Sequence, residues 1–167
     1  NLFDLNSYNP YIATTGIFTL EPVSTSTSFG QNVSTSWWSW NQNSQTLSGL
    51  TFGKSGNTRN ITHETYALTV NGPVNFYGDD VILTESLVAA GAITITANQD
   101  IILNTNTITS SASNTDIILR AKRDITTQTN DTTSLSVTST GGNILFTSDT
   151  DDTNGGGILI LGGTVID

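Results

Sequence analysis

The sequence predicts an all-β fold, a parallel β-helix of about five coils of ~25 residues, and three observations support this prediction. Similar phrases recur along the chain at a nearly constant spacing. Each repeat unit contains three short apolar runs separated by turn-forming residues. Thr, Ser and Asn supply 65 of the 167 residues, and no segment has a helical period long enough to cross over between parallel strands. Strands this short need a coil in which each pairs with its equivalent one unit later.

The repeat units set the expected coil boundaries. Residues 92–97 resemble residues 116–121, and residues 100–106 resemble residues 124–130, with the same spacing in both pairs. Going outward, similar phrases begin at Ala67 and at Asn143, and a partial unit begins at Leu50. We therefore expect β-helix repeats over residues 50–167, with coils starting near residues 50, 67, 92, 116 and 143.

Apolar residues at equivalent positions of these units should form the core. In such a coil, like residues stack on like along the axis, and the alternating Thr and Asn neighbours face outward. The alignment predicts an inward column formed by Leu68, Ile93, Ile117 and Ile144.

Residues 1–49 show no repeat and are expected to form an N-terminal β-rich cap, because the first coil of a solenoid exposes a row of unpaired backbone groups. This segment holds all three tryptophans, Trp37, Trp38 and Trp40. In an extended strand Trp38 and Trp40 share one face, so their rings are candidates for a sugar-stacking platform. Packing of the cap against the first coil is the simpler interpretation.

The opposite end has no comparable cover, since apolar runs continue through Ile166 with only Asp167 after them. Terminal coils normally need an atypical polar cap. We therefore expect either further β-helix coils or a neighbouring subunit at this face.

Composition argues against several classes of function. A formal charge of −9 and only five basic residues argue against nucleic-acid binding. No run of 18 apolar residues is present, so membrane insertion by a spanning helix is not expected. Without Cys there is no disulfide or thiolate metal site, and the single histidine, His63, is expected in an exposed turn. We expect no enzyme activity and no cofactor.

Two charged segments are weaker candidates for sites. The acidic loop containing Asp149, Asp151 and Asp152 offers oxygen ligands for Ca²⁺, although it fits no calcium-loop template and a solvated turn is the simpler interpretation. In the basic segment at 120–124, Arg120 and Lys122 share a face that suits an anionic sugar. Asp100 and Asp124 should stack one coil apart, and stacked aspartates with a nearby Arg or Lys are also an ordinary way to neutralise a row of turns.

Several phrases carry a family resemblance. Residues 50–58, 60–62, 68–84, 91–97 and 99–103 resemble repeats of large bacterial surface and secreted exoproteins of the filamentous-haemagglutinin type. This resemblance implies a right-handed parallel β-helix in an exported adhesin-like stalk, extracellular or on the bacterial cell surface. The expected function is that of a structural, non-catalytic segment of an adhesin or filament, with a host surface or glycan as partner. The alternative is a carbohydrate-binding or polysaccharide-cleaving β-helix, of the tailspike or lyase kind.

Overall fold

The computed structural model describes residues 15–23, 26–37, 47–127, 134–153 and 155–167. Within them, seventeen short strands form three parallel sheets, with one 3₁₀ turn at Thr35–Trp37. Numbered in chain order, the strands of sheet 1 are β1 Ile17–Leu20, β3 Gly49–Phe52, β6 Val74–Gly78, β9 Ile93–Ala97, β12 Ile117–Ala121 and β15 Ile144–Thr147. Those of sheet 2 are β2 Val33–Ser34, β4 Ile61–His63, β7 Val81–Leu83, β10 Ile101–Leu103, β13 Ile125–Thr127 and β16 Ile158–Ile160. Those of sheet 3 are β5 Leu68–Val70, β8 Leu87–Ala89, β11 Thr107–Ser110, β14 Ser136–Ser139 and β17 Val165–Ile166.

The chain visits sheets 1, 2 and 3 in turn, and each strand pairs in parallel with its equivalent one coil later. From β3 to β17 the described residues make five complete coils of three strands. The predicted parallel β-helix with three strands per coil is therefore confirmed. Strands this short are stable here because the apolar surface of each coil is buried against its neighbours.

The expected core column is present in sheet 1, with one correction. Ile93 aligns with Ile117, and Ile117 aligns with Ile144. Leu68, however, lies in sheet 3 and aligns with Leu87, while Val74 takes the place below Ile93. The coil start expected near residue 67 was wrong, because the coil that leads from Val74 to Ile93 is shorter than the one that leads from Ile93 to Ile117.

Strand alternation separates the core from the surface. In β6 and β9 the first, third and fifth residues are buried and the two between them are partly exposed. The rings of Phe18, Phe52 and Phe76 follow one another along sheet 1, tilted by 55° and 56°, with centroids 5.8 and 5.9 Å apart. Each fully buried large side chain contributes about 1.5–3 kcal/mol relative to an exposed one.

The corner between sheets 3 and 1 is tight. A Cβ at Gly72 would overlap the carbonyl oxygen of Ser48, and one at Gly142 would overlap that of Thr115. Glycine at these two positions lets one coil lie directly on the backbone of the coil before it.

The N-terminal segment contributes strands of its own. β1 pairs with β3 and β2 pairs with β4, so both cover the edge of the first complete coil in two of the three sheets. Assignment of all of residues 1–49 to a cap stays a prediction, because residues 1–14 and 38–46 lie outside the described part of the chain.

Candidate functional site

A ladder of Asn and Asp side chains runs along the corner between sheets 1 and 2. At this corner, the residue just before each sheet 2 strand donates its backbone N–H to the Oδ1 atom of the equivalent residue one coil earlier. The N–H···Oδ1 distances are 2.8–3.2 Å, and the ladder comprises Asn32, Asn60, Asp80, Asp100, Asp124 and finally Gly157. The side chains thus supply the hydrogen bonds that the strand ladder supplies elsewhere. The predicted stacking of Asp100 and Asp124 one coil apart is confirmed.

Arg123 neutralises the centre of this ladder. Its Nε atom donates to Asp100 Oδ1 at 2.7 Å, and its Nη2 atom donates to Asp100 Oδ2 in the same fork. The guanidinium lowers the pKa of Asp100, with a further contribution from the backbone N–H of Asp124, against the opposing effect of burial. Among the residues the structure describes, this is the one ion pair.

Asp79 lies beside the ladder in a different electrostatic environment. Burial raises its pKa above the ordinary value, and the neighbouring carboxylate of Asp80 raises it further. The positive charges of Arg123, Arg59 and Lys122 act in the opposite direction. These three cations therefore face the acidic groups of the corner.

All five basic residues of the chain belong to this side of the β-helix. They lie on a sheet 1 strand or between it and the following sheet 2 strand: Lys54, Arg59, Arg120, Lys122 and Arg123. In a protein with a formal charge of −9, this confines the positive charge to one corner and the adjoining edge of sheet 1.

The outer face of sheet 1 places an aromatic side chain beside these cations. Tyr77, Thr96 and Arg120 occupy equivalent outward positions in three successive coils. Lys54 and Asn98 join Tyr77 and Thr96 in lining a small cleft of about 30 Å³. A larger depression of about 250 Å³ on sheet 3 is lined by small polar and aliphatic residues, without a charged or aromatic side chain.

The structure describes one of the three candidate tryptophans. Trp37 ends the 3₁₀ turn and packs, partly buried, against the core. Trp38 and Trp40 lie outside the described residues, so the sugar platform stays a prediction.

The acidic loop forms a turn between β15 and β16. Asp149 and Asp152 adopt left-handed backbone conformations with φ of 53° and 54°, and Asp151 Oδ1 accepts the backbone N–H of Thr153 at 3.3 Å. Within the described ranges no three acidic or histidine side chains come close enough to hold a metal ion, so the loop does not bring its carboxylates together as a calcium site would.

His63 is not in an exposed turn, and this expectation was wrong. It is fully buried in β4, where Nδ1 lies 3.2 Å from Thr35 Oγ1 and Nε2 lies 3.2 Å from the carbonyl oxygen of Ser86. Burial lowers its pKa to about 4, despite the opposing effects of the Ser86 hydrogen bond and Glu64. The neutral imidazole therefore links the 3₁₀ turn to the first two complete coils.

The last coil leaves its apolar side chains open to solvent. On β16 and β17 the exposed fractions reach 54% at Leu159 and 55% at Val165. Ile158 and Ile160, which align with the buried Ile125 and Thr127, are also exposed. The end of the β-helix thus presents three strand edges and an apolar cross-section.

Comparison with known proteins adds no relative: no family model, curated protein or solved structure matches the chain. Among the described residues, no helix is long and apolar enough to cross a bilayer.

Sequence reasoning had singled out Arg120 but not Tyr77, Thr96 or Lys54 as its neighbours. Tyr77, Thr96 and Arg120 are each the fourth residue of a sheet 1 strand, and each faces outward. Recognising this shared position requires the correct register across the shorter coil, which the repeat alignment had missed.

Proposed function

We propose that this chain is a structural, non-catalytic segment of an exported bacterial adhesin or filament, in which it acts as a stiff stalk. The observation that supports this most is the unbroken, in-register pairing of five complete coils in three parallel sheets. Such stacking lets a thin rod lengthen by adding coils, at ~4.8 Å each, without needing a wider core.

The interactions between coils account for the stiffness. Buried columns join successive coils in sheet 1, and the Asn/Asp ladder joins them at the corner between sheets 1 and 2. Bending the rod would pull apart the buried columns or the ladder hydrogen bonds on the outer side of the bend, so these contacts resist bending. The outward hydroxyl and amide side chains, such as Thr51, Asn75 and Thr94, keep its surface solvated.

The open last coil supports continuation of the rod. Its three strand edges have the same spacing and direction as the edges that pair elsewhere in the protein. We propose that further β-helix coils, or the coil of a neighbouring subunit, cover this face in the native assembly. Covering it would bury Leu159, Ile160 and Val165, which are now exposed.

Immunogold electron microscopy of intact source cells tests this function. Antibodies raised against the folded chain are expected to label thin rods that project from the cell surface. Label confined to the interior of sectioned cells, with none on intact ones, would contradict the proposal. A second antibody against an abundant cytoplasmic protein controls for cell lysis.

A further inference from the structure

We propose that the outer face of sheet 1 binds a linear, carboxylate-bearing polysaccharide, a polyuronate, laid along the β-helix axis with about one sugar unit per coil. The binding surface consists of Lys54, Tyr77, Thr96, Asn98 and Arg120, and is called the sheet 1 strip below. This inference goes beyond the stalk function and does not depend on it.

The spacing of the strip matches a polymer. Tyr77, Thr96 and Arg120 align in successive coils, and Thr147 aligns with Arg120 in the next coil. Neighbouring parallel strands lie ~4.8 Å apart, which is close to the length that one pyranose adds to an extended chain. Each sugar unit would therefore meet an equivalent position of the next coil.

The chemistry of the strip also suits a sugar. Tyr77 supplies an aromatic surface for the apolar face of a pyranose, while Thr96 and Asn98 supply hydroxyl and amide groups. The Nδ2 atom of Asn98 donates to the carbonyl oxygen of Asn57 at 2.7 Å, which fixes the amide at the edge of the cleft. Within the described part of the chain, no hydrogen bond engages the Tyr77 or Thr96 hydroxyl.

A glycine positions the first cation. Gly53 has a φ of 78°, and a Cβ there would overlap the carbonyl oxygen of Tyr77. The chain can therefore leave β3 directly beside Tyr77, and Lys54 comes to line the same cleft. Three coil steps, roughly 14 Å, separate the level of Gly53 from that of Arg120.

The charges favour a polymer with one charge on each sugar over a polymer with several. Arg123 is paired with Asp100, and Arg59 and Lys122 act on Asp79, whereas Lys54 and Arg120 form no ion pair with another described residue. Two available cations, about three coil steps apart on a protein of formal charge −9, suit a polymer with a single carboxylate on each sugar. A densely sulfated chain would be repelled by the excess negative charge.

Affinity electrophoresis of the whole chain tests the proposal, with native gels that contain polygalacturonate, heparin or the neutral polymer dextran. The wild type should be retarded by polygalacturonate alone. The variants Tyr77→Ala and Lys54→Gln/Arg120→Gln should each raise the dissociation constant about tenfold. Arg59→Gln/Lys122→Gln makes the same change in net charge at two cations that act on Asp79 and do not line the cleft, and this variant should bind within about twofold of wild type.

Three results would overturn the proposal: no retardation by polygalacturonate, equal weakening by the two charge variants, or retardation by heparin alone. Circular dichroism should show unchanged thermal midpoints, since the substituted side chains face outward. If Tyr77→Ala does not fold, Thr96→Glu replaces it, because a carboxylate in the middle of the strip should abolish retardation by like-charge repulsion.

Discussion

Substituting Ile117 by alanine should destabilise the protein strongly. Ile117 is fully buried in β12, the strand next to the last in sheet 1, where it stacks between Ile93 and Ile144. The substitution removes the contacts on both sides at once, and coils held by backbone pairing cannot collapse far into the cavity. Loss of a buried isoleucine side chain costs roughly 2–5 kcal/mol, and about 3 kcal/mol is expected here.

Ile118 provides the matched control, because it is the next residue in the same strand and faces outward. It is partly exposed, so Ile118→Ala should cost less than about 1 kcal/mol. Urea unfolding followed by far-UV circular dichroism measures both free energies, provided that the slopes with urea stay equal. A larger cost at Ile118 than at Ile117 would refute the reasoning, since a one-residue change of register exchanges the two faces.

Three further predictions concern pH, the side-chain ladder and a tight corner. The folded-state pKa of His63, about 4, lies below the ordinary value of 6.5, so the unfolded state binds more protons than the folded state between these pH values. The free energy of unfolding, measured with urea, should therefore fall by about 3 kcal/mol from pH 6.5 to pH 4. The same change of pH should lower the stability of His63→Gln by less. Asp100→Ala should cost about 1–2 kcal/mol at pH 7, with Asp100→Asn closer to wild type because it keeps a ladder acceptor. Since Arg123 lowers the pKa of Asp100, the difference in stability between Asp100→Ala and wild type should shrink as the pH falls below 3.8. A difference that stays constant with pH would contradict the pairing of Asp100 with Arg123. Gly72→Ala should lower the thermal midpoint markedly. Gly30→Ala is the control, because a Cβ added at Gly30 meets no atom within 4 Å, and it should leave the midpoint unchanged. Equal midpoints for the two variants would argue against the tight corner.

Much of the fold could be predicted because repetition determines register. The phrases at 92–97 and 116–121 place Ile93 over Ile117, and that column is observed. Leu68 was misplaced for a physical reason: its strand has the same alternation of buried and partly exposed residues as strands of the other two sheets. A local pattern therefore predicts a strand but does not identify its sheet.

The corner ladder was partly predictable and the sheet 1 strip was not. Asp100 and Asp124 share a position in the repeat, so their stacking followed from the spacing of the repeated phrases. The proximity of Lys54 to Tyr77 depends on the turn at Gly53, which no repeat specifies. The burial of His63 likewise depends on contacts with Thr35 and with Ser86 in neighbouring coils.

Backbone nuclear Overhauser contacts between β9, β12 and β15 test the central claim most directly. A chain of 167 residues suits solution NMR. Parallel, in-register coils predict contacts that connect Thr94 with Ile118 and Ile118 with Leu145. Strong Hα–Hα contacts between these strands, which mark antiparallel pairing, or contacts displaced by one residue would contradict the β-helix described here.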